Sequence, residues 1–578
     1  MMRDRFSMRR GATLAALLLA GTATSAHAQF SGDPGSGSGS GDLAASSAPA
    51  SGAEADRKPT KRGERPQKQR RADVSPYLEV GQILSANLKG GDNDVLTYTT
   101  IAAGVDASIA ARNAEATASL RYEYRFGLSG GLDDGDVISG IARGRIGAGQ
   151  GFNLEGGALA TRSRADNGGA ASGLFIGNSS NSADLYSVYA GPTLTQRLGG
   201  LDVGAGYRFG YTKIEIDTPA VLAPGAQAQD VFDSSTNHLA WASIGARPGD
   251  LPFGWQLSGG YEREDTSQLD QRFEGKYARA DVTMPIGPTV ALLGGVGYED
   301  IEIGQRDPLL DGNGVPVRDA NGRFVTDTSS PRQLSFDVDG LIWDAGVMWQ
   351  PSRRTSLTAR VGRRYGDTIY TGSFAYRPDH ATTLQVGVYD GLSSFGRGLS
   401  GGLAALPTQF DPTRNPISGD INPCVFGEQG GSCLNSQLGS ATGFQYRSRG
   451  VQATLSSSYG RWSYGVGVGY DQRRLLVPRT SVLASLNGVK DESYYLFLSA
   501  GRQLDADSDV SLSGYVSYFD NGSPNSADVQ AAGLSATYSR RFWRSLTGTA
   551  AASLNAFDQD GFNSELIGSA LVGLRYNF

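Results

Sequence analysis

Beyond its first thirty residues the chain has no apolar run of about 18 residues, which excludes a membrane-spanning helix. Histidine is nearly absent. The chain holds three, and one of these, His27, lies in the leader, leaving His238 and His380 for any base or metal chemistry. Lysine is scarce as well: beyond residue 73 there are four Lys against 36 Arg. The two cysteines, Cys424 and Cys433, lie nine positions apart in a Gly- and Pro-rich stretch with no histidine nearby. In an oxidising compartment that spacing points to a local disulfide pinning a loop, in preference to a metal site. The mean hydropathy of −0.29 is too low for a helical membrane protein.

What the chain has in plenty is Gly (80), Tyr (25) and Phe (22) among 578 residues. Glycine is about twice its average usage. Such a composition suits a transmembrane β-barrel, whose strands need apolar side chains only on the lipid face. The N-terminus reads as an export signal. Arg3, Arg5, Arg9 and Arg10 precede the apolar run Ala12–Ala20, and Ala26-His27-Ala28 offers a small-residue cleavage site, so residues 1–28 are expected to be removed. Residues 29–73 read as a disordered periplasmic arm, Gly/Ser-rich at first. They end in "RKPTKRGERPQKQRR" (57–71), with eight Lys/Arg against one Glu. The arm is either a solvated tether or a contact for peptidoglycan or a periplasmic protein. Nucleic acid is not an expected partner of an exported chain. Beyond residue 73 the balance turns acidic, with 40 basic and 51 acidic residues.

From Val74 onward the dominant period is two. In "EATASLRYEYRFG", Leu120, Tyr122, Tyr124 and Phe126 share one face and Ser119, Arg121, Glu123 and Arg125 the other. "LDVGAGYRFGYT" and "RWSYGVGVGYD" alternate in the same way. Alternation alone suits a soluble sandwich equally well. The connections decide, because short and long ones alternate along an up-and-down meander, as in outer-membrane barrels with short periplasmic turns and long extracellular loops. The expected fold is all-β: one large antiparallel transmembrane barrel over residues 74–578, with about 22 strands. Its last segment carries Val572, Leu574, Tyr576 and Phe578 on one face through a terminal aromatic. That pattern resembles the signal read by barrel-assembly machinery, an expected partner along with outer-membrane lipid and lipopolysaccharide.

If the aromatic faces meet lipid, Arg121, Glu123, Arg125, Arg143, Arg145, Arg208, Arg360 and Arg364 face the lumen. They either brace the wall in Arg–carboxylate networks or line a path for an anionic solute or polysaccharide. A barrel this wide is an open hole unless something fills it. Residues 29–73 lack the apolar periodicity of a folded N-terminal plug, which argues against a TonB-dependent transporter. The expected stopper is the long loop 392–440. The segment 307–327 lacks the spacing and closing Glu of a calcium loop, and its "VPV" and "RFV" arms read as a hairpin turned at "DANG". "GLSGG" at 127–131 and 398–402 matches the serine-hydrolase elbow, but such matches arise by chance at this glycine content. No catalytic residue, cofactor or metal is expected. An outer-membrane lipid hydrolase is a distant alternative.

The stretch "VSPYLEVGQILSANLKGGDNDVLTYTTIAAGVDASIAARNAEATASLRYEYR" (74–125) resembles a family of outer-membrane β-barrel porins, whose relatives include barrels associated with exosortase and exopolysaccharide gene clusters. The resemblance rests on a Pro-Tyr strand start, an Asp-rich tight turn, the "TYTTIAAGV" strand and an Arg/Tyr-rich strand. It implies an outer-membrane location and a channel-like or export-related role, and supplies no catalytic residues. A closed structural barrel displaying its loops is the alternative.

Overall fold

The computed structural model describes residues 71–90, 95–129, 134–164, 182–216, 230–249, 251–427, 430–438, 441–522, 528–561 and 563–578. The leader (1–28) and the arm up to residue 70 lie outside the described residues. Twenty-two long strands form one antiparallel sheet closed on itself. The first nine are β1 (Arg71–Lys89), β2 (Val95–Ala110), β3 (Ala114–Ser129), β4 (Gly135–Gly149), β5 (Phe152–Arg164), β6 (Ser182–Leu198), β7 (Leu201–Glu215), β8 (Ser234–Ala246) and β9 (Gly254–Thr266). Then come β10 (Gln271–Pro285), β11 (Val290–Gln305), β12 (Gln333–Ser352), β13 (Thr355–Arg364), β14 (Asp367–Tyr376) and β15 (Thr382–Ser393). A long insertion follows, carrying helix α1 (Phe395–Ala405), a hairpin of β16 (Cys424–Gly427) and β17 (Gly430–Cys433), and the single turn α2 (Asn435–Leu438). The wall resumes with β18 (Gln445–Tyr459), β19 (Trp462–Leu476), β20 (Lys490–Gln503), β21 (Ser508–Asn521), β22 (Val529–Arg541), β23 (Leu546–Gln559) and β24 (Glu565–Asn577).

Closure is by β1 against β24, in register from Tyr77 opposite Asn577 to Ala86 opposite Gly568, with a bulge beyond. The Phe578 amide donates to the Pro76 carbonyl (3.0 Å), so the pairing runs to the last residue. Lipid offers backbone groups no hydrogen bonds, and only a closed ring satisfies them all. At its other end β1 begins three residues before Val74, because β2 continues to Ala110 and its partner there is Arg71.

The period-two pattern sorts the wall as its physics requires. Leu120, Tyr122, Ile138, Tyr207, Val296 and Val572 are exposed on the outer surface, whereas Ser119, Glu123, Arg125, Ser139 and Arg143 are buried on the inner one. Tyr459, Trp462, Phe542, Trp543 and Phe578 cluster in exposed positions at the short-turn end. Trp462 stacks on Tyr464 at 5.6 Å, and the Arg502 guanidinium lies 4.7 Å from the Trp462 ring centre. This aromatic girdle marks the membrane interface. An apolar outer belt on a closed barrel places the protein in the outer membrane, short turns toward the periplasm. Val572, Leu574, Tyr576 and Phe578 all face outward, and Leu571 and Ile567 face in.

At the long-loop end, residues 306–332 form an arm of short antiparallel bridges, Pro308 with Thr326, Leu310 with Pro316 and Arg318 with Phe324. Asp311 accepts from the amides of Asn313 and Val315, and Asp319 from those of Asn321 and Arg323. These carboxylates are therefore turn-formers. Phe324 closes over an apolar cluster with Phe444, Tyr446, Leu475, Val477, Leu483 and Leu486.

Candidate functional site: the lumen and its folded loop

The insertion between β15 and β18 folds into the barrel. Ser394 caps α1: its hydroxyl accepts from the Arg397 amide (3.1 Å) and donates to Glu264 (2.7 Å) on β9. Phe395, Leu399 and Leu403 recur every fourth residue and form one stripe down the helix. That stripe meets Ile141, Leu159, Leu185, Tyr189 and Ile214 from the inner faces of β4–β7, in one buried cluster that also takes in Leu406, Phe410, Ile421, Val425 and Leu434. Four of the eleven residues of α1 are glycine. Each costs a helix about 1 kcal/mol relative to Ala, so packing rather than propensity holds this one. The glycines permit close approach: a Cβ on Gly396 would stand 2.0 Å from the Ser235 hydroxyl of β8.

Past the helix the loop reaches the periplasmic end of the wall. Thr408 donates to Glu115 (2.8 Å) and its carbonyl accepts from Thr117 (3.0 Å), while Gln409 donates to the Ile109 carbonyl (2.9 Å). It then climbs back across β3–β5. Arg414 donates to Ser119 (3.0 Å) and to Ser139, whose hydroxyl in turn donates to the Gly419 carbonyl (2.8 Å). Arg125 donates to the Ser418 carbonyl, and Arg162 pairs with Asp420 at 2.8 Å. Near the mouth, the Phe232 amide donates to the Ala441 carbonyl (2.9 Å).

Cys424 and Cys433 are disulfide-bonded and paired across β16 and β17. Their hairpin lies on a glycine face of β19. A Cβ on Gly467 would stand 2.3 Å from the Cys433 sulfur and 2.8 Å from the Cys424 sulfur, and one on Gly465 would enter the Phe426 ring. Thr454 and Ser456 of β18 donate to the carbonyls of Gly431 (3.0 Å) and Gly427 (2.8 Å). The alternation of "YGVGVGY" therefore serves two partners, with valines to lipid and Gly465 and Gly467 to the hairpin.

The lumen arginines read from the sequence all lie on the inner face, and most are matched within the wall. Arg121 pairs with Glu79 (2.8 Å) and Glu123 (2.5 Å), and Arg125 with the same Glu123 (2.7 Å). Arg143 pairs with Glu155 (2.7 Å), and the half-exposed Arg145 lies 3.8 Å from Glu115. Arg360 bridges Asp281 (3.0 Å) and Asp344 (2.6 Å), which also hold Arg279. Arg364 pairs with Glu299 (2.6 Å). Arg208 lies over the Tyr189 ring at 5.5 Å, with Arg143 over the same ring at 5.6 Å.

Sequence reasoning missed the arginine that anchors helix α1 to the wall. Arg397 is 2 % exposed and donates to Glu262 (3.0 Å), Glu264 (3.2 Å) and Gln445 (3.2 Å), with its guanidinium 3.5 Å from the centre of the Phe273 ring. The available signal was a lone Arg inside a Gly/Ser stretch, three residues after a serine able to cap a helix.

The two serine motifs fall on different elements. Ser400 lies on α1, accepting from Asn237 (3.0 Å) and donating to the Arg397 carbonyl (3.2 Å). His238 is on the outer side of β8, sharing a 2.7 Å hydrogen bond with the Tyr207 hydroxyl. Ser129 is the last residue of β3. Among the described residues no group of three or more His, Cys, Asp or Glu side chains is placed to hold a metal.

No protein-family model matches the chain, and no curated protein matches it. Among solved structures it is similar to the FrpB iron transporter from Neisseria meningitidis, with 10 % identity, a TM-score of 0.40, and coverage of 88 % of this chain and 83 % of that one. It is also similar to the open form of the ferric-catecholate import receptor Fiu from E. coli K12 (10 % identity, TM-score 0.42, 89 % and 82 % covered). The siderophore receptor PiuA from Acinetobacter baumannii is a further one (9 % identity, TM-score 0.40, 87 % and 82 % covered). At these values the likeness bears on neither cargo nor mechanism.

Proposed function

We propose that the protein is an outer-membrane conduit closed by its own loop, with residues 394–444 as the gate. One observation carries this reading: the plug is a folded body inside the lumen, and its own disulfide ties it to itself, while only hydrogen bonds, ion pairs and apolar contacts tie it to the wall. Such a body can be displaced as a unit without breaking a covalent bond. Passive porin action and export of a surface polysaccharide both fit a gated pore, and the resemblance of residues 74–125 to porins with exopolysaccharide-linked relatives supports this class of cargo. Outer-membrane lipid and lipopolysaccharide around the barrel, and peptidoglycan or a periplasmic protein at residues 57–71, are the proposed partners.

The test is single-channel current in a planar bilayer, comparing the intact chain with one in which a short Gly/Ser linker replaces 394–444. The expected result is a nearly silent intact protein and large steady steps after deletion. Silence from both, with the barrel folded, would favour the second reading, a closed scaffold. The many anchors from β2 to β19 are the observation on its side. Because most of the wall arginines are neutralised by wall carboxylates, the deleted barrel is expected to discriminate weakly between anions and cations.

A further inference from the structure

The wall is not uniform around its circumference. Strands β3–β5 and β9–β13 carry inward charges in networks. Strands β20–β23 carry none over most of their length. Alternate inward positions from Ser493 to Ser499, Ser511 to Phe519, Val529 to Ser539 and Thr547 to Gln559 hold no Asp, Glu, Lys or Arg. They are hydroxyls, amides, aromatic rings and small apolar residues.

Against this neutral face the plug leaves a cavity of about 300 Å³. Its wall side presents Ser493, Ser535 and Asn555 beside the rings of Phe497, Tyr515 and Phe519, and its plug side presents Asn415, Asn422 and Asn435. The charged lining groups are Arg162 and Asp420, which neutralise each other at 2.8 Å. Two lining hydroxyls, those of Ser163 and Ser493, are buried and have no hydrogen-bond partner among the described residues. A buried hydroxyl left unpaired carries a desolvation penalty that a ligand bearing donors and acceptors would recover. The volume is at the small end of the roughly 300–1,000 Å³ of small-ligand sites.

We infer that this cavity is a binding subsite for an uncharged saccharide segment. The inference rests on the conduit reading and names the class of solute it would carry. A charged solute entering the cavity would shed water and find no free counter-charge. A neutral sugar ring would find the opposite: hydroxyls and amides that exchange donor and acceptor roles for its edges, and aromatic rings for its C–H faces. The arginine-rich side, by contrast, is occupied by the plug and paired with itself.

The experiment uses the full mature chain, refolded and checked by heat-modifiable migration. Maltotriose, cellotriose and the charged trigalacturonate are each titrated by calorimetry, and bilayer current is recorded in parallel from the barrel lacking 394–444. At least one neutral trisaccharide is expected to bind, and trigalacturonate to bind at least about tenfold more weakly. Asn555→Leu is expected to weaken neutral binding about tenfold, and Ser493→Phe, which fills the cavity, to abolish it. Should one variant fail to fold, the other carries the comparison. Binding of neither neutral sugar, or equal or tighter binding of trigalacturonate, overturns the inference, as does indifference to both substitutions. Neutral binding to the intact chain with silence from the barrel lacking 394–444 removes the conduit and leaves the site. Current from that deleted barrel with no sugar binding to the intact chain removes the site and leaves the conduit.

Discussion

Arg397 and Gly467 fasten the plug in opposite ways, one by making contacts and the other by making room. Replacing Arg397 with Met keeps the bulk over Phe273 but strands Glu262 and Glu264, which are 4 % and 0 % exposed. Removing one partner of such a buried set costs about 3–5 kcal/mol. The cost falls on the docking of α1, because both glutamates belong to a strand held by the sheet. Arg397→Met is therefore expected to raise channel-opening frequency while the barrel keeps its heat-modifiable migration. Gly467→Val acts by exclusion, because even a Cβ there would stand 2.3 Å from the Cys433 sulfur. The strand is fixed by β18 and β20, so the hairpin must lift. Enhanced proteolysis near residues 424–433 in the Val variant, with β19 intact, is the expected outcome. A protected hairpin would show that the disulfide finger does not rest on this face.

At the scale of elements, the outer halves of the strands were legible and the inner partners were not. Alternation in 119–126 told lipid from lumen because the lipid face must be apolar, whereas the long connections expected near 128–135 and 165–182 fall largely outside the described residues. Helix α1 was hidden: its four glycines mimic a flexible loop, and its apolar stripe makes sense only against Leu185 and Ile214, some two hundred residues earlier. The same holds for Arg397, whose carboxylate partners lie more than 130 positions away. The disulfide was readable from spacing and compartment, but its seat on Gly465 and Gly467 was not, since a glycine face reads equally as weak strand or as reserved space.

The mouth is another relation between elements. The Asp230 carboxylate accepts from Gln268 (2.7 Å) and from the Phe324 amide (3.0 Å), and its carbonyl accepts from the Gly443 amide (2.9 Å). It thereby joins the end of the β7–β8 loop, the 306–332 arm and the root of the plug. Burial pushes its pKa from 3.8 up to about 7, against the opposing pull of the Phe324 and Gln268 hydrogen bonds and of Arg318 and Arg323 on the arm. The folded mouth thus favours the protonated form. Its contribution to stability is full below the unfolded value of 3.8 and is lost as pH rises toward about 7. Amide exchange at Phe324 and Gly443 should quicken, after correction for intrinsic rates, between about pH 4 and about pH 7, and Asp230→Asn should flatten that dependence. An unchanged slope in the Asn variant would assign the effect to another group.

For the molecule as a whole, the decisive contact is the one that turns a sheet into a barrel. Strand β24 must find β1 across almost five hundred residues of chain, and loop-closure entropy opposes that meeting until all the strands between are in place. On the inner side of the seam Ser85 and Ser569 share a hydroxyl contact at 2.8 Å, the Arg575 guanidinium lies 3.5 Å from the centre of the Tyr77 ring, and Ile83 joins Ile567 and Leu571 in one small buried cluster. Its outer edge, by contrast, is richly apolar, and the rings of Tyr576 and Phe578 meet edge to face at 5.2 Å. We propose that this stripe, ending on Phe578, guides β24 during insertion and adds little to the finished barrel. Phe578→Ala should then slow or reduce assembly in cells, read as the fraction of heat-modifiable protein in the outer membrane, while barrel already formed melts at nearly the unaltered temperature. A large drop in melting temperature would instead make Phe578 a structural member of the seam, since removing an exposed, lipid-facing ring opens no internal cavity and should cost the folded state little.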